Sequence, residues 1–142
     1  MMLQKYMCML GIGSAKIDLV LPKYEFTVGE NIEGQFNIAG GFISQPLKRI
    51  ECDLIMHCEK REIDEVIGSS TILTSKIIKP KQTQSITFSY QLPEELPETS
   101  VNPQFKFRTR LIFHEGVKSA DTDNIVIKTN DPEVYKSPVR IN

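Results

Sequence analysis

The sequence contains no tryptophan and only 2 histidines, His57 and His114. Histidine is the commonest acid–base group and metal ligand in proteins, and both residues fall on the predicted outward face of a long strand. No GxSxG, HExxH, phosphate-loop or GxGxxG pattern occurs in the chain. We therefore expect no catalytic residues, no cofactor and no enzymatic activity.

An excess of charge of one sign is also missing. The 17 lysine and arginine residues nearly balance the 18 aspartate and glutamate residues, which leaves a formal net charge of −1. This balance gives no general reason to expect nucleic acid or an anionic membrane as a partner. No stretch approaches the roughly 18 apolar residues of a transmembrane helix, so integral membrane association is not expected.

Cysteine pairs with the spacing of a metal or redox motif are absent. The 3 cysteines are Cys8, Cys52 and Cys58, and no CxxC pattern occurs. Cys52 and Cys58 fall in one predicted strand, where they would lie roughly 20 Å apart, beyond the reach of a disulfide. Three reduced thiols are typical of a cytoplasmic protein, and we expect that localisation.

Helical spacing is missing beyond residue 15, and apolar residues instead alternate with polar ones. The alternation is clearest in NIEGQFNIAG (31–40), RIECDLIMHCE (49–59), SITFSYQL (85–92), QFKFRTRLIF (104–113) and NIVIKT (124–129). This pattern predicts half-buried antiparallel strands, about seven in number, in a two-sheet β-sandwich of the immunoglobulin type. We expect one sandwich domain over residues 15–130, preceded by a segment (1–14) with the spacing of a short helix and followed by a tail (131–142).

The stretch KSADTDNIVI (118–127) raises the question of a metal site, because Asp121 and Asp123 lie one residue apart. A calcium loop of the EF-hand type fails here, since its fifth, sixth and twelfth positions would be Ile125, Val126 and Pro132. No second acidic cluster is identified nearby. We therefore predict no metal, and we interpret residues 121–124 as a turn before the last strand. The glycine and serines at 68–70 predict another turn.

Lys106, Arg108 and Arg110 form a basic row on one face of a predicted strand, spaced about 7 Å apart. Such a row can follow phosphates, but no aromatic side chains for base stacking alternate with it. An outward acidic row, Glu51, Asp53 and Glu59, lies on a strand that neighbours it in immunoglobulin-type sandwiches. We favour cross-strand ion pairs between the two rows and expect no nucleic-acid partner.

The stretch ITFSYQLPEELPETS (86–100) resembles the arrestin-type signature, in which an alternating strand runs into Leu-Pro, a short acidic gap, Leu-Pro and Thr-Ser. Within that clan the chain is most similar to the bacterial sporulation-control protein family. The supporting stretches are GIGSAKIDLVL (11–21), YEFTVGENIEGQFNIAGG (24–41), SQPLKRIECDLI (44–55) and RTRLIFHEGVKSADTDNIVI (108–127). The resemblance covers roughly residues 11–128.

The resemblance implies an arrestin-like β-sandwich without enzymatic activity, a cytoplasmic regulatory or scaffold protein that acts through protein–protein interaction. It assigns no partner-binding residue. Members of the family usually carry a second sandwich, so a one-domain chain can also associate with itself as a homo-oligomer. The polar-core charges of animal arrestins have no matching motif. A small-ligand or carbohydrate-binding module is the alternative, although the chain lacks tryptophan and most of its 7 phenylalanines and 4 tyrosines face inward.

Overall fold

The structure, a computed structural model, describes residues 14–58, 62–97, 103–114 and 116–129. These ranges contain nine strands and no helix: β1 (Lys16–Val20), β2 (Glu25–Thr27), β3 (Asn31–Ala39), β4 (Gln45–Cys58), β5 (Ile63–Leu73), β6 (Ile77–Ile78), β7 (Thr83–Gln91), β8 (Gln104–Phe113) and β9 (Gly116–Lys128). The helix expected within residues 1–14 lies outside the described residues except for residue 14, and so does the tail at 131–142.

The strands form two sheets. One has three strands in the order β1-β3-β7, and the other runs β2-β9-β8-β4-β5, with β6 pairing to β4. All of these pairs are antiparallel except β2 with β9, which is parallel. The prediction of an all-β sandwich is confirmed. It missed β2 and β6, which have three and two residues and are too short to show alternation, and it did not name β5.

The core lies between the two sheets and is built from the alternating residues that the sequence singles out. Fully covered side chains include Ile32 and Phe36 of β3, Leu54 of β4, and Phe107 of β8. Burying one large apolar side chain stabilises a fold by about 1.5–3 kcal/mol. The alternation therefore determines which face of each strand meets the other sheet.

An aromatic cluster forms the centre of this core. The ring of Phe88 on β7 meets that of Phe36 edge-on at 5.1 Å and that of Phe107 edge-on at 5.5 Å. Tyr90 also meets Phe107 edge-on at 5.6 Å between centroids. Edge-to-face pairs are the arrangement that the ring quadrupoles favour. The cluster thus joins β3 and β7 of the small sheet to β8 of the large sheet.

The Leu-Pro segment after β7 packs back on the turn between β2 and β3. Leu92 is buried and donates its backbone N–H to Glu30 O at 2.9 Å, while Gly29 donates to Pro93 O at 2.9 Å. Gly29 has a φ of +79°, a conformation that favours glycine. Proline has no N–H to extend a ladder, so the strand ends where Pro93 begins the crossover.

The predicted turn at residues 121–124 is wrong, because β9 runs through it without a break. Asp121 lies opposite Thr109, and Asp123 lies opposite Phe107 in the β8–β9 ladder. Alternation places both aspartates on the inward face that also carries Ile125, since strand residues two apart share a face. The Asp121 carboxylate accepts a hydrogen bond from the backbone N–H of Leu19 on β1 instead of closing a turn.

The predicted turn at 68–70 is also wrong. Gly68, Ser69 and Ser70 lie within β5, opposite Leu54, Asp53 and Cys52 of β4. Turn propensity is a local preference that tertiary packing can override. A glycine is required at position 68 because Tyr90 of the other sheet occupies the space of a side chain there.

Candidate functional site

Three carboxylates meet where β1 approaches β9. One oxygen from each of Asp18, Asp121 and Asp123 lies within 4.8 Å of the other two. Asp18 stands on β1 and the other two stand on β9. We call this group the acidic cluster. The sequence showed the two aspartates of β9, but nothing in local spacing indicated that Asp18 would join them.

Hydrogen bonds from the edge of β1 hold the cluster in place. Ile17 donates its backbone N–H to Ser119 Oγ at 3.1 Å, and Leu19 donates its N–H to Asp121 Oδ2 at 3.0 Å. The other edge of β1 forms the antiparallel ladder with β3. Side chains of the large sheet therefore accept hydrogen bonds from backbone N–H groups of the small sheet. Without these acceptors, the N–H groups on this edge of β1 would have no partner in the fold.

The three carboxylates cannot all ionise easily at such short range. Burial, a hydrogen bond with Asp121 and the charges of Asp121 and Asp18 raise the pKa of Asp123 to about 7. Burial and the charge of Asp121 also raise the pKa of Asp18. Asp123 Oδ2 is buried and has no hydrogen-bond partner among the described residues. A proton shared between Asp123 and Asp121 would reduce the repulsion among the three carboxylates.

The acidic cluster also contains the ligand type that divalent cations prefer. Calcium takes six to eight oxygen ligands, whereas the cluster offers three side chains. Asp121 Oδ2 already accepts the Leu19 N–H. The donor set therefore fits a shared proton better than a calcium ion. The absence of a metal stays a prediction, and Asp18 is a third carboxylate that the sequence did not place near Asp121 and Asp123.

The basic row on β8 is paired with acidic groups, as the sequence predicts. Arg110 Nη2 lies 3.0 Å from both Glu51 Oε1 and Asp53 Oδ2, and Arg108 Nη2 lies 3.9 Å from Asp53 Oδ2. Ser69 donates to Asp53 Oδ1 at 2.8 Å. Asp53 is only 8% exposed, so it is the buried centre of this network. Arg110 therefore joins β8 to β4, and its guanidinium binds these carboxylates instead of being free to bind phosphate.

The third cation of the row has a different partner from the one expected. Lys106 Nζ lies 3.3 Å from Asp64 Oδ2, while Glu59 falls outside the described residues. His57 Nδ1 lies 2.7 Å from Asp64 Oδ1. Two hydrogen bonds lower the pKa of Asp64. The larger effect comes from His57 and the smaller from Lys106. Sequence reasoning missed Asp64 because β5 shows little alternation.

The pair of His57 and Asp64 is a cross-strand contact. The two residues lie directly opposite each other in the β4–β5 ladder. A cavity of about 340 Å³ on the same molecule is lined by residues 103–105 and 124–127, and His57 is not among its lining residues. His114 is exposed beyond the end of β8. The structure therefore does not bring the two histidines together.

Cys52 behaves as a small apolar residue of the core. Its thiol accepts a hydrogen bond from Thr109 Oγ1 at 3.4 Å, and burial raises the pKa of the Cys52 thiol to about 12. A thiol that stays protonated at neutral pH is a poor nucleophile. Cys58 is buried too, and Cys8 lies outside the described residues.

The sandwich and the comparison with known families define the class of this chain. It belongs to the Spo0M family, whose model, described as SpoOM protein, matches residues 3–134. Among curated proteins it is similar to the sporulation-control protein spo0M of Bacillus subtilis (strain 168), with 27% identity over 126 residues. That match covers 84% of this chain and 49% of the relative, so the chain spans about half the length of the relative.

Solved structures agree with this assignment. A crystal structure of Spo0M, sporulation control protein, from Bacillus subtilis matches with a TM-score of 0.71 and 27% identity, covering 82% of this chain and 50% of that one. A Niemann-Pick type C2 protein from the Japanese carpenter ant matches with a TM-score of 0.55 and 7% identity, covering 81% and 93%. The second likeness shows the β-sandwich fold alone. The described ranges contain no helix whose length and hydropathy would let it cross a bilayer.

Proposed function

We propose that this chain is a cytoplasmic, non-catalytic regulatory or scaffold domain with an arrestin-like sandwich, and that it acts by binding other proteins. Membership of the sporulation-control family supports a regulatory role. The Leu-Pro crossover packed on the β2–β3 turn supports the arrestin-like variant of the sandwich. The proposal depends most on the contacts that the ionisable side chains of the described residues make.

The ion-paired side chains among them hold strands together, and none of them lines the cavity beside β8 and β9. Arg110, Glu51 and Asp53 join β4 to β8, and the His57–Asp64 pair joins β4 to β5. A catalytic site needs a nucleophile or acid–base group placed where a substrate can sit. A binding protein needs only a stable scaffold with exposed surface. The arrangement of charges fits the second requirement.

Affinity capture from native extract tests the binding role. We expect the folded domain to recover a defined protein in a fixed ratio, and the reciprocal capture with that protein as bait to recover the domain. The matched control is the Phe107→Ala variant, whose core is damaged while its surface sequence is unchanged. Recovery of no protein except the domain itself, in either direction, would count against a binding role.

A substitution tests the non-catalytic part separately. His57→Ala removes one half of the only histidine–carboxylate pair recorded in the described residues. We expect this variant to retain capture of the same partner in the same ratio. An activity of the native chain that His57→Ala abolishes, while the variant still folds, would replace the scaffold proposal with an enzymatic one.

The cavity next to β8 and β9 is the one observation that favours a ligand-binding module. Its aromatic lining residue, Phe105, is only 4% exposed, and its exposed apolar residue, Val126 at 52%, is aliphatic, so the cavity offers no flat aromatic platform. A glycan array probed with the intact domain decides this alternative. A single class of bound glycans would favour it, whereas an array without binding would leave the protein-binding proposal.

A further inference from the structure

Two segments of the chain meet at one end of the sandwich. One leads from β3 into β4 (residues 40–48), and the other leads from β5 through β6 toward β7 (residues 73–82). Gly40 donates its backbone N–H to Gln82 O at 2.7 Å, and a Cβ on Gly40 would clash with Lys79 O. β6 also pairs with the start of β4. We call the surface formed by these two segments the basic end.

Four lysines of the basic end have no acidic partner. Lys48, Lys76, Lys79 and Lys81 are exposed, and none of their ammonium groups is in an ion pair with a described residue. The sequence contains no aspartate or glutamate at positions 37–50 or 66–93. Positive charge that the fold does not neutralise attracts anions from solution.

Large apolar side chains are exposed among these lysines. Phe42 is 47% exposed, Leu73 is 80% exposed, and Ile77 is 54% exposed. Apolar side chains beside lysines are the combination with which proteins bind at the interface of an anionic bilayer, where the cations meet headgroups and the apolar groups reach the acyl boundary. A nucleic acid would match the lysines, but it offers no apolar layer to the aliphatic side chains.

The opposite end of the sandwich carries the balancing negative charge. Glu62 and Glu65 lie at the start of β5, while Glu94 and Glu95 follow the last residue of β7. The other ends of β5 and β7 lie at the basic end, roughly 30 Å away by strand geometry. The net charge of −1 therefore conceals a separation of charge along the strands. A domain polarised in this way turns its positive end toward a negative surface.

We propose that the basic end binds the surface of a bilayer that contains anionic phospholipids. The lysines lie against headgroup phosphates, and Phe42, Leu73 and Ile77 lie at the boundary between headgroups and acyl chains. Binding is peripheral, and each lysine strengthens it about fivefold. The cytoplasmic leaflet carries such lipids, so a cytoplasmic domain can reach them. This partner is additional to the protein partner proposed above, and the two proposals stand or fall separately.

Vesicle flotation of the full chain tests the binding. We expect the native chain to float with vesicles made of equal parts of phosphatidylglycerol and phosphatidylcholine. It should not float with phosphatidylcholine alone, and added salt should weaken binding to the anionic vesicles because ions screen the lysines. Lys79→Glu, Lys81→Glu should weaken binding by at least about twentyfold, since two attractive charges become repulsive.

The matched control is Lys23→Glu, Lys128→Glu, which changes the net charge equally toward the other end of the strands. Both lysines form exposed ion pairs, whose loss costs little stability, so this variant should keep native binding. A native chain that does not bind anionic vesicles at low salt would overturn the proposal, as would equal losses in the two double variants. Capture of an acidic protein through the basic end, without vesicle binding, would assign that end to a protein instead.

A second measurement does not require the lysine variants to fold. Because the chain has no tryptophan, a single substitution introduces a unique fluorophore. Phe42→Trp places it at the basic end, and Tyr24→Trp places it next to β2, at a side chain that is 60% exposed. Anionic vesicles should shift the emission of Phe42→Trp to shorter wavelength, and brominated lipids should quench it. Tyr24→Trp should do neither. A shift at Tyr24→Trp alone, equal shifts at both positions, or no shift at either would contradict insertion of the basic end.

Discussion

The hydroxyl of Tyr90 on β7 occupies the space in which a side chain on Gly68 of β5 would begin. Tyr90 Cζ would lie 3.1 Å from a Cβ built on that glycine, closer than ordinary van der Waals contact. The ring of Tyr90 has little freedom to move, because it packs edge-on against Phe107. This contact joins the free edges of the two sheets, and it explains the glycine in the middle of a strand.

We expect Gly68→Ala to destabilise the domain by about 1–3 kcal/mol, the usual cost of inserting a methyl group into a packed region. Urea unfolding followed by circular dichroism measures the change. Tyr90→Phe removes the overlapping oxygen, so Gly68→Ala in a Tyr90→Phe background should cost less than in the native chain. Equal costs in the two backgrounds would mean that the hydroxyl is not the obstacle.

The ion-pair network at Asp53 should contribute more to stability than an exposed pair. Asp53→Ala leaves Arg110 and Ser69 without their shared acceptor in a place that water reaches poorly, and we expect a loss of about 1–3 kcal/mol. The matched control is Glu25→Ala, whose ion pair with Lys128 has side chains 60% and 61% exposed. The control should change the unfolding free energy by about 0.5 kcal/mol or less. Similar losses for both would show that Asp53 is not a buried centre.

The acidic cluster should make stability fall as pH rises. The folded pKa of Asp123 is about 7, above its ordinary value of 3.8, so folding favours the protonated form. Its contribution is complete below pH 3.8 and is lost as pH rises through about 7. Carboxylates with a lowered pKa, such as Asp64, act in the opposite direction, because the stability that they contribute is lost as pH falls. We therefore expect stability to fall between about pH 4 and pH 7, the two pKa values of Asp123, and to level off above that range.

Thermal unfolding of Asp123→Asn over that pH range measures this contribution. The amide stays neutral at every pH, so the melting temperature of the variant should fall less with rising pH than that of the native chain. At the alkaline end the variant should be more stable than the native chain. Glu33→Gln, a change at an exposed carboxylate of β3, serves as the control and should keep the native slope. An unchanged slope in Asp123→Asn would show that the cluster does not share a proton.

Calcium should leave the melting temperature unchanged. The acidic cluster supplies fewer oxygen ligands than calcium requires, and one of its oxygens already accepts a backbone N–H. Thermal unfolding at neutral pH, with calcium or with an equal ionic strength of sodium chloride, checks this. A stabilisation by calcium that Asp18→Asn removes would establish a metal site at the cluster.

Alternation was sufficient to predict which faces of the long strands are buried. Ile50, Leu54, Phe107 and Ile125 all lie in the core as expected, because period-two burial is a local property of a strand. Alternation also placed Glu51 and Arg110 on outward faces. Their pairing then followed from the assumption that β4 and β8 are neighbours, as in immunoglobulin-type sandwiches. These features depend on residues within one strand or on neighbouring strands.

The acidic cluster and the two false turns depend on contacts between distant segments. Asp121 has the composition of a turn residue, yet its carboxylate accepts an N–H from Leu19, 102 positions away. Gly68 also has the composition of a turn residue, yet it lies in a strand beneath Tyr90. Local spacing has no information on such partners. For the same reason the cluster could not be predicted from Asp121 and Asp123 alone.

The parallel pairing of β2 with β9 also affects how the chain is made. β2 ends at Thr27, and its partner strand ends at Lys128. The ribosome synthesises about 5–20 residues per second, so β2 waits roughly 5–20 s before β9 is available. Nascent-chain arrest at successive lengths should therefore show cooperative folding only after β9 has left the exit tunnel. The large sheet is therefore complete only after β9 has been synthesised, and until then the strands made earlier lack a partner and are exposed to aggregation.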